Sequence, residues 1–443
     1  MSWVKISETH WERAVDGLEG YFIVIGGITA NLCDGREHYT LFSTIKLEAT
    51  QLDLAPALRH AWKQLRYEQP QIAATVEGMK KVYEVPDARG LEKWLASTFI
   101  VSAAPGAEDL YSSAEPIRQA TLYYLPNSSE VVFRAHHHTI DGIGILLFWH
   151  SLLEALASPA VDIHFGDEPT RLASTMETVL GYPEQPTQEM SNKATALFMS
   201  WAASVPGIGP VSQLGTAAPG NCQNTELVFP ADITNRLVKS CKSKGVTVSA
   251  AVHAAYIKTI AKYSDPNSKL LEYVTATQFD LRPYLPQPHN SSKYAVSVYY
   301  TPLPYKTDLP ASYWDIAKSL HEYYQTSFKG NPEALELKGH FTRILYGAVQ
   351  TPEFLANPIS KDALVSSLGI AERYLQREYG NGIKVKDLKM GVDVVMGMSM
   401  FFLYTFQDQL RLVYSFNDGF EKAEDIKRYL EEVKTILKQE FLE

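Results

Sequence analysis

The most informative segment of the sequence is Val131-Val132-Phe133-Arg134-Ala135-His136-His137-His138-Thr139-Ile140-Asp141-Gly142. Its first five residues are mostly β-branched or apolar and predict a strand. The apolar residues after Gly142, from Ile143 to Leu156, have the spacing of a helix. The histidines and Asp141 therefore stand between a strand and a helix, where reactive side chains are often placed.

His137 is the candidate general base of this stretch. A histidine near its ordinary pKa of about 6.5 can take a proton from a hydroxyl or amine and return it to a leaving group. Asp141, four residues later, would orient the imidazole or lock the loop by pairing with a cation. Gly142 allows a tight backbone turn, and an N–H at the helix start could face a developing oxyanion.

Two other interpretations compete with this one. The histidines could be a loop cluster without chemistry, or two of them could bind a metal together with Asp141. No other cluster of His, Cys, Asp or Glu in the sequence supplies the missing ligands, so we predict no metal. The three cysteines, Cys33, Cys222 and Cys241, stand singly and suggest neither a disulfide framework nor a zinc site.

Length and charge restrict the class of protein. A chain of 443 residues favours two domains of about 200 residues each. With 41 Lys and Arg against 50 Asp and Glu, the net charge is −9, and no local basic patch is visible, so we expect no nucleic-acid partner. The longest apolar runs fall short of the roughly 20 residues of a membrane-spanning helix. No secretory signal is recognisable, so we expect a cytoplasmic protein.

The pattern along the chain indicates an α+β protein with two similar halves. Apolar spacing predicts helices at about 53–67, 248–263 and 421–437, and a strand pair at 119–125 and 130–135. Residues 181–224 are rich in Pro, Gly, Ser, Thr and Asn, as expected of a long connection. We therefore place an N-terminal domain at 1–185, a crossover linker at 186–224 and a C-terminal domain at 225–443.

The motif His136-His137-x-x-x-Asp141-Gly142 resembles the signature of the CoA-dependent acyltransferase superfamily. That superfamily includes chloramphenicol acetyltransferases, plant BAHD acyltransferases, fungal trichothecene O-acetyltransferases and condensation domains of nonribosomal peptide synthetases. Phe279-Asp280-Leu281-Arg282-Pro283 is similar to its Asp-Leu-Arg segment, and Ser366-Ser367-Leu368-Gly369 looks like a turn after a later strand. Of the BAHD motif Asp-Phe-Gly-Trp-Gly only Asp387 and Gly391 agree, which favours the fungal branch.

The resemblance implies two chloramphenicol-acetyltransferase-like α/β sandwich domains with a tunnel between them. It assigns catalysis to His137, with Gly142 beside it, and structural roles at the site to His136, Asp141 and Arg282. It further implies that Asp141 pairs with Arg282 across the domain interface. Donor-side or structural roles would fall to the remaining matches: Ser367, Gly369, Asp387 and Gly391.

The resulting prediction is an O-acyltransferase that moves an acetyl or other acyl group from acyl-CoA to a hydroxyl of a specialised metabolite. Acyl-CoA would be a co-substrate, with no bound cofactor. One alternative is a condensation-like acyltransferase whose donor is carried by an acyl carrier protein. Another is a cyclase or a binding protein that keeps the fold without transferring acyl groups.

Overall fold

The computed structural model describes residues 2–49, 52–328, 332–356 and 359–443. Its strands, in chain order, are β1 (Val4–Lys5), β2 (His10–Ala14), β3 (Leu41–Glu48), β4 (Thr75–Glu77), β5 (Lys80–Glu84), β6 (Phe99–Val101), β7 (Thr121–Leu125), β8 (Glu130–Ala135), β9 (Cys222–Val228), β10 (Glu272–Asp280), β11 (Tyr300–Asp308), β12 (Leu364–Ile370), β13 (Glu378–Tyr379), β14 (Ile383–Val392), β15 (Met400–Phe406) and β16 (Gln409–Asn417).

The α-helices lie between these strands or after the last one, singly or in groups of two or three. In chain order they are α1 (Gly17–Leu32), α2 (Leu54–Glu68), α3 (Ala88–Thr98), α4 (Ala107–Ser112), α5 (Gly142–Ala157), α6 (Met176–Val179), α7 (Gln188–Ala202), α8 (Ala231–Ser243), α9 (Val248–Lys262), α10 (Tyr313–Thr326), α11 (Pro332–Ala348), α12 (Pro352–Ala356) and α13 (Ala423–Phe441).

The chain forms two compact units, and neither is continuous in sequence. The first contains Met1–Pro183, Asp280–Thr301 and Ala371–Val392, and the second contains Glu184–Phe279, Pro302–Ile370 and Asp393–Glu443. The limits predicted from the sequence were continuous, so they differ from these units at 280–301 and 371–392. The strand β14 shows why: it pairs with β3 along its length and so joins the sheet of the first unit.

The first unit is built on a six-stranded sheet with the order β13-β14-β3-β8-β7-β6. The central strand β8 has Val131, Val132 and Phe133 fully buried, as its apolar sequence predicts. Phe133 stacks on Phe148 of α5 at a centroid distance of 4.0 Å. Because α5 is apolar on nearly all sides, it is buried and holds the connection from β8 in place. A second sheet of this unit has the order β1-β2-β5-β4.

The second unit contains a four-stranded sheet with the order β12-β15-β16-β9, in which β12 and β15 run parallel. The helix α9 has four alanines among its ten buried residues, Ala250, Ala251, Ala254 and Ala255, and belongs to one hydrophobic core with α13. Small side chains allow close packing of this helix, as the sequence pattern indicates. The strands β10 and β11 form a separate two-stranded sheet.

The predicted helices near 53–67, 248–263 and 421–437 correspond to α2, α9 and α13, and the predicted strand pair to β7 and β8. The segment between Val392, where β14 ends, and Met400, where β15 begins, is not a strand. Gly397 and Met398 between them have positive φ angles of 85° and 52°, which a regular strand does not tolerate.

The predicted linker contains the helix α7. Thr187 caps it by accepting a hydrogen bond from the backbone N–H of Met190, and Met190, Ala194 and Phe198 form its buried face at a spacing of four residues. That spacing is a helical signal that the polar composition of the segment obscured. Within the described part of the chain, we find no helix whose length and apolar character would let it cross a membrane.

Candidate active site

The three histidines follow the last residue of β8 in a tight turn. The backbone N–H of Thr139 donates to the carbonyl of His136 at 2.9 Å and closes this turn. His136 and His138 are each 8% exposed, whereas His137 between them is only partly buried. The turn therefore presents His137 and keeps its two neighbours inside the unit.

Two aromatic rings hold the imidazole of His137. Phe22 of α1 stacks on it with centroids 4.1 Å apart and planes inclined by 2°, and Tyr300 lies at 5.5 Å. Its Nδ1 is buried and has no hydrogen-bond partner among the described residues. Burial lowers the pKa of His137 to about 4, although its own backbone carbonyl and the charge of Asp141 act in the opposite direction. The ring is therefore neutral at pH 7, and its pKa lies below the ordinary value of 6.5 that the sequence led us to expect.

The predicted ion pair between Asp141 and Arg282 is present. Nη1 of Arg282 donates to Oδ1 of Asp141 at 2.9 Å and to Oδ2 at 3.0 Å, and both side chains are at most 4% exposed. Both residues belong to the first unit, so the pair lies within one unit. The resemblance had implied a pair across the domain interface, and this part of the prediction is wrong. Asp280 accepts a further hydrogen bond from Nη1 at 3.1 Å. Against the effect of burial, the two carboxylates raise the pKa of Arg282.

Asp141 also fixes the start of α5. Its Oδ1 accepts from the backbone N–H of Gly144 at 2.7 Å, which makes it the helix N-cap, and its Oδ2 accepts from the backbone N–H of Tyr299 at 2.7 Å. The carboxylate therefore binds one helix start, one guanidinium and one backbone segment. It does not contact the ring of His137 by any hydrogen bond among the described residues, so its action on that ring is through the backbone and through its charge.

The two glycines at this helix start have different roles. Gly142 is the first residue of α5, and no described residue accepts a hydrogen bond from its backbone N–H. Gly144 makes the close approach: a Cβ there would lie 2.4 Å from the carbonyl oxygen of Ala295 and 3.2 Å from Nη2 of Arg282. The close packing at this helix start therefore requires glycine at position 144, a residue that is not among the sequence predictions.

A cluster of three buried charged side chains, Arg13, Glu19 and Lys81, contacts the turn at the backbone carbonyl of His138. Nζ of Lys81 donates to the backbone carbonyl of His138 and, at 2.6 Å, to Glu19, and Arg13 donates to both carboxylate oxygens of Glu19 at 2.8 Å. The two cations outweigh burial and lower the pKa of Glu19. A cavity of about 10 Å³ beside this group also touches Thr139, which is about the room that one water molecule needs.

The four residues assigned to the donor side fall into two groups. Asp387 and Gly391 lie in β14 of the first unit, where Gly391 is the register partner of Phe42. Ser367 and Gly369 lie in the second unit inside β12, with a β-bulge between these two residues. The prediction of a turn after a strand is wrong here. Gly369 has φ +69°, and Oγ of Ser367 is 2.7 Å from Oγ of Ser249. Their assignment to the acyl donor stays a prediction.

The alternative of a metal bound by two histidines and Asp141 finds no support, since both oxygens of Asp141 accept hydrogen bonds from other groups. Among the described residues, one group has the composition and proximity of metal ligands: Glu37, His136 and His138, with candidate ligand atoms within 4.8 Å of one another. Glu37, Phe22 and Tyr300 are not among the site residues predicted from the sequence. All three lie far along the chain from the motif, and periodicity carries no information about such contacts.

Comparison with known proteins identifies the fold and relatives. No protein-family model matches the chain. It is 29% identical over 451 residues to the O-acetyltransferase pigM of Monascus ruber, covering 99% of this chain and 87% of the relative. It also resembles the structure of the trichothecene 15-O-acetyltransferase TRI3 from Fusarium sporotrichioides, with a TM-score of 0.82, 18% identity and coverage of 98% and 96%.

The first condensation domain of the calcium-dependent antibiotic synthetase shares the fold as well, with a TM-score of 0.66, 16% identity and coverage of 97% and 96%. Such structures consist of two chloramphenicol-acetyltransferase-like domains. The fold class inferred from the sequence is thereby confirmed. The resemblance to the acyltransferase and condensation-domain family is confirmed as well.

Proposed function

Starting from the fold and relatives of the CoA-dependent acyltransferase and condensation-domain family, we propose that this chain is an O-acyltransferase. It moves an acetyl or other acyl group from acyl-CoA to a hydroxyl of a specialised metabolite, such as a terpenoid or polyketide alcohol. The relatives pigM and TRI3 are themselves named as O-acetyltransferases, which supports the reaction class. A cytoplasmic location and a tunnel between the domains stay predictions.

The observation that carries the proposal is the position of His137. It is the partly exposed histidine between two buried ones, its ring is fixed by Phe22, and the turn that presents it is locked by Asp141 and Arg282. A neutral imidazole in a fixed orientation is the form that accepts a proton.

In the proposed reaction His137 removes the proton from the acceptor hydroxyl as its oxygen attacks the thioester carbonyl. A new C–O bond forms, the carbonyl becomes an oxyanion, and the backbone N–H of Gly142 stabilises that charge. The C–S bond then breaks, and the imidazolium returns the proton to the departing thiolate. Transfer is direct, so no covalent enzyme intermediate is formed.

The test is incubation of the purified full chain with acetyl-CoA and a panel of terpenoid and polyketide alcohols. We expect release of free thiol and a mass increase of one acetyl group on an alcohol. Loss of a general base costs roughly a hundredfold to ten-thousandfold in rate, so we expect the turnover rate of His137→Ala to decrease by a factor in that range. The matched control is His164→Ala, which removes an exposed histidine of the same unit. Near wild-type turnover by His137→Ala would contradict the mechanism.

The likeness to a condensation domain supports one second candidate, an acyltransferase that takes its donor from a carrier protein. The same assay distinguishes the two donors if an acetyl-loaded carrier protein replaces acetyl-CoA in a parallel arm. Product from the carrier arm alone would favour the condensation-like reaction. Conversion of a substrate without any mass increase would favour a cyclase on the same fold, and binding without conversion would favour a binding protein.

A further inference from the structure

The two buried histidines beside His137 face a carboxylate. Glu37, in the connection between α1 and β3, places Oε2 3.0 Å from Nδ1 of His136. The rings of His136 and His138 lie 5.3 Å apart, with their planes inclined by 19°. These three side chains bring one carboxylate and two imidazoles together in the first unit, within 4.8 Å by their ligand atoms.

The hydrogen bonds of His136 determine what its Nδ1 can do. Nε2 lies 3.1 Å from the backbone oxygen of Ile117, and since a carbonyl oxygen only accepts, Nε2 carries a proton. Nδ1 is buried, and no acceptor lies along its bond direction even though Glu37 is close. In the neutral ring this nitrogen presents a lone pair beside a carboxylate, which is unfavourable unless a cation or a second proton lies there.

Each of the two histidines has one ring nitrogen next to a protein oxygen, as metal-binding histidines usually do. Metal-bound histidines usually donate their other ring N–H to a carbonyl or a similar group, which fixes the ring and the tautomer. Ile117 provides this contact for His136, and the hydroxyl of Thr139, 3.3 Å from Nδ1 of His138, provides one for the other ring. Lys81, the nearby cation that contacts the carbonyl of His138, is itself paired with Glu19.

The helix α1 leaves room for the carboxylate. Glycine is unfavourable inside a helix, yet α1 contains both Gly26 and Gly27. A Cβ at Gly26 would lie 2.5 Å from Oε2 of Glu37, whereas a Cβ at Gly27 would meet nothing within 4 Å. Gly26 therefore has a specific task, which is to admit the end of the Glu37 side chain.

We propose that Glu37, His136 and His138 form a binding site for a divalent transition-metal ion of the zinc type. Two imidazoles and a carboxylate are a known zinc ligand set, and they leave a fourth position for a water molecule or another small ligand. Bonds of about 2.0–2.1 Å at tetrahedral angles separate ligand atoms by roughly 3.3 Å. The distance between Glu37 and His136 is close to that value. The ligand atoms that lie farther apart, within 4.8 Å, would approach one another by up to about 1.5 Å when the ion binds.

This site would clamp the residues on either side of His137. An ion there would fix the turn after β8 independently of the ion pair between Asp141 and Arg282. The inference concerns binding alone, so it does not depend on whether the chain transfers acyl groups.

The test uses the untagged full chain, stripped with a chelator and titrated with Zn²⁺ alone by calorimetry, and with Co²⁺ alone by visible absorption. We expect one ion per chain and a rise in melting temperature with Zn²⁺, because an ion that binds the folded state stabilises it. Glu37→Gln and Gly26→Ala should each weaken binding by about tenfold or more. Gly27→Ala is the matched control for Gly26→Ala and should bind like the wild type. His137→Ala should also retain the ion.

Absence of stoichiometric binding would overturn the proposal. Equal affinities of Glu37→Gln, Gly26→Ala and the wild type would also overturn it, since the ion would then be bound elsewhere. Glu37→Gln changes a partly exposed side chain, whereas Gly26→Ala adds a methyl group at a buried position of α1, so the fold of both variants is verified first. Circular dichroism checks this before each titration.

Discussion

The phenyl ring of Phe22 lies flat on the imidazole of His137, 4.1 Å away between centroids and inclined by 2°. Phe22 is 6% exposed and belongs to α1, while His137 follows β8. The stack restricts rotation of the imidazole and covers one of its faces. Phe22 and Tyr300 thus contribute to the burial that lowers the pKa of His137.

Phe22→Leu should lower kcat about tenfold, because it removes the stacked face while it keeps an apolar side chain. A tenfold loss corresponds to about 1.4 kcal/mol of transition-state stabilisation. The free energy of unfolding should fall by only about 1–2 kcal/mol. Steady-state kinetics and urea denaturation measure the two effects. Phe165→Leu is the control, since Phe165 packs edge-on against Tyr67 in the same unit. Unchanged kcat in Phe22→Leu would contradict a positioning role.

The local part of this site could be predicted from the sequence. The strand, the histidines and the helix after Asp141 are neighbours in the chain, and their residue types carry the signals of strand, turn and N-cap. The pairing of Asp141 with Arg282, by contrast, came from the resemblance to a family, because 141 residues separate the two. The structure corrects the position of this pair, which lies within one unit.

The rest of the site depends on contacts that periodicity does not encode. Phe22 lies in the helix α1, which the sequence analysis did not predict. Glu37 follows that helix and meets the histidines only after β3 has paired with β8. The strand β14 joins the first unit although it lies late in the chain. The sequence does contain one signal for the Glu37 contact, namely the adjacent residues Gly26 and Gly27 within an apolar run.

The ion pair of Asp141 and Arg282 should show strong energetic coupling. Removal of one partner of a buried pair usually costs about 3–5 kcal/mol, because the other charge is left buried. The double variant should therefore lose less stability than the sum of Asp141→Ala and Arg282→Ala, by about 1 kcal/mol or more. Urea denaturation of the three variants measures this. If the single variants do not fold, Asp141→Asn with Arg282→Lys gives a milder cycle. Additive losses would contradict the contact.

Gly144→Ala should destabilise the first unit by about 1–3 kcal/mol or more, because its methyl group would overlap the backbone oxygen of Ala295. Backbone cannot move aside as a flexible side chain can, so the start of α5 would shift away from Arg282. The matched control is Gly347→Ala in α11, where a Cβ meets nothing within 4 Å. That change should be neutral or stabilising, because alanine favours a helix. Thermal unfolding of both variants measures the difference, and equal melting temperatures would contradict the packing argument.

A buried carboxyl in the second unit predicts a stability change with pH. Glu421 accepts hydrogen bonds from Ser399 and, at 3.4 Å, from Tyr414, and burial raises its pKa from 4.5 to about 7. A raised pKa in the folded state means that folding favours the protonated form. Its contribution is therefore complete below about pH 4.5 and is lost as the pH rises through about 7. The loss is on the order of 3 kcal/mol.

Glu421→Gln should flatten this dependence, because the amide keeps the shape of the protonated carboxyl and cannot ionise. The free energy of unfolding, measured in urea between pH 4.5 and 8, should fall with pH more steeply in the wild type than in the variant. Asp362, whose pKa burial also raises, leaves a remaining slope of the same sign in both proteins. The control is Glu424→Gln, which changes an exposed carboxyl at the start of α13 and should preserve the wild-type slope. Parallel pH profiles for the wild type and Glu421→Gln would show that this carboxyl ionises freely in the folded chain.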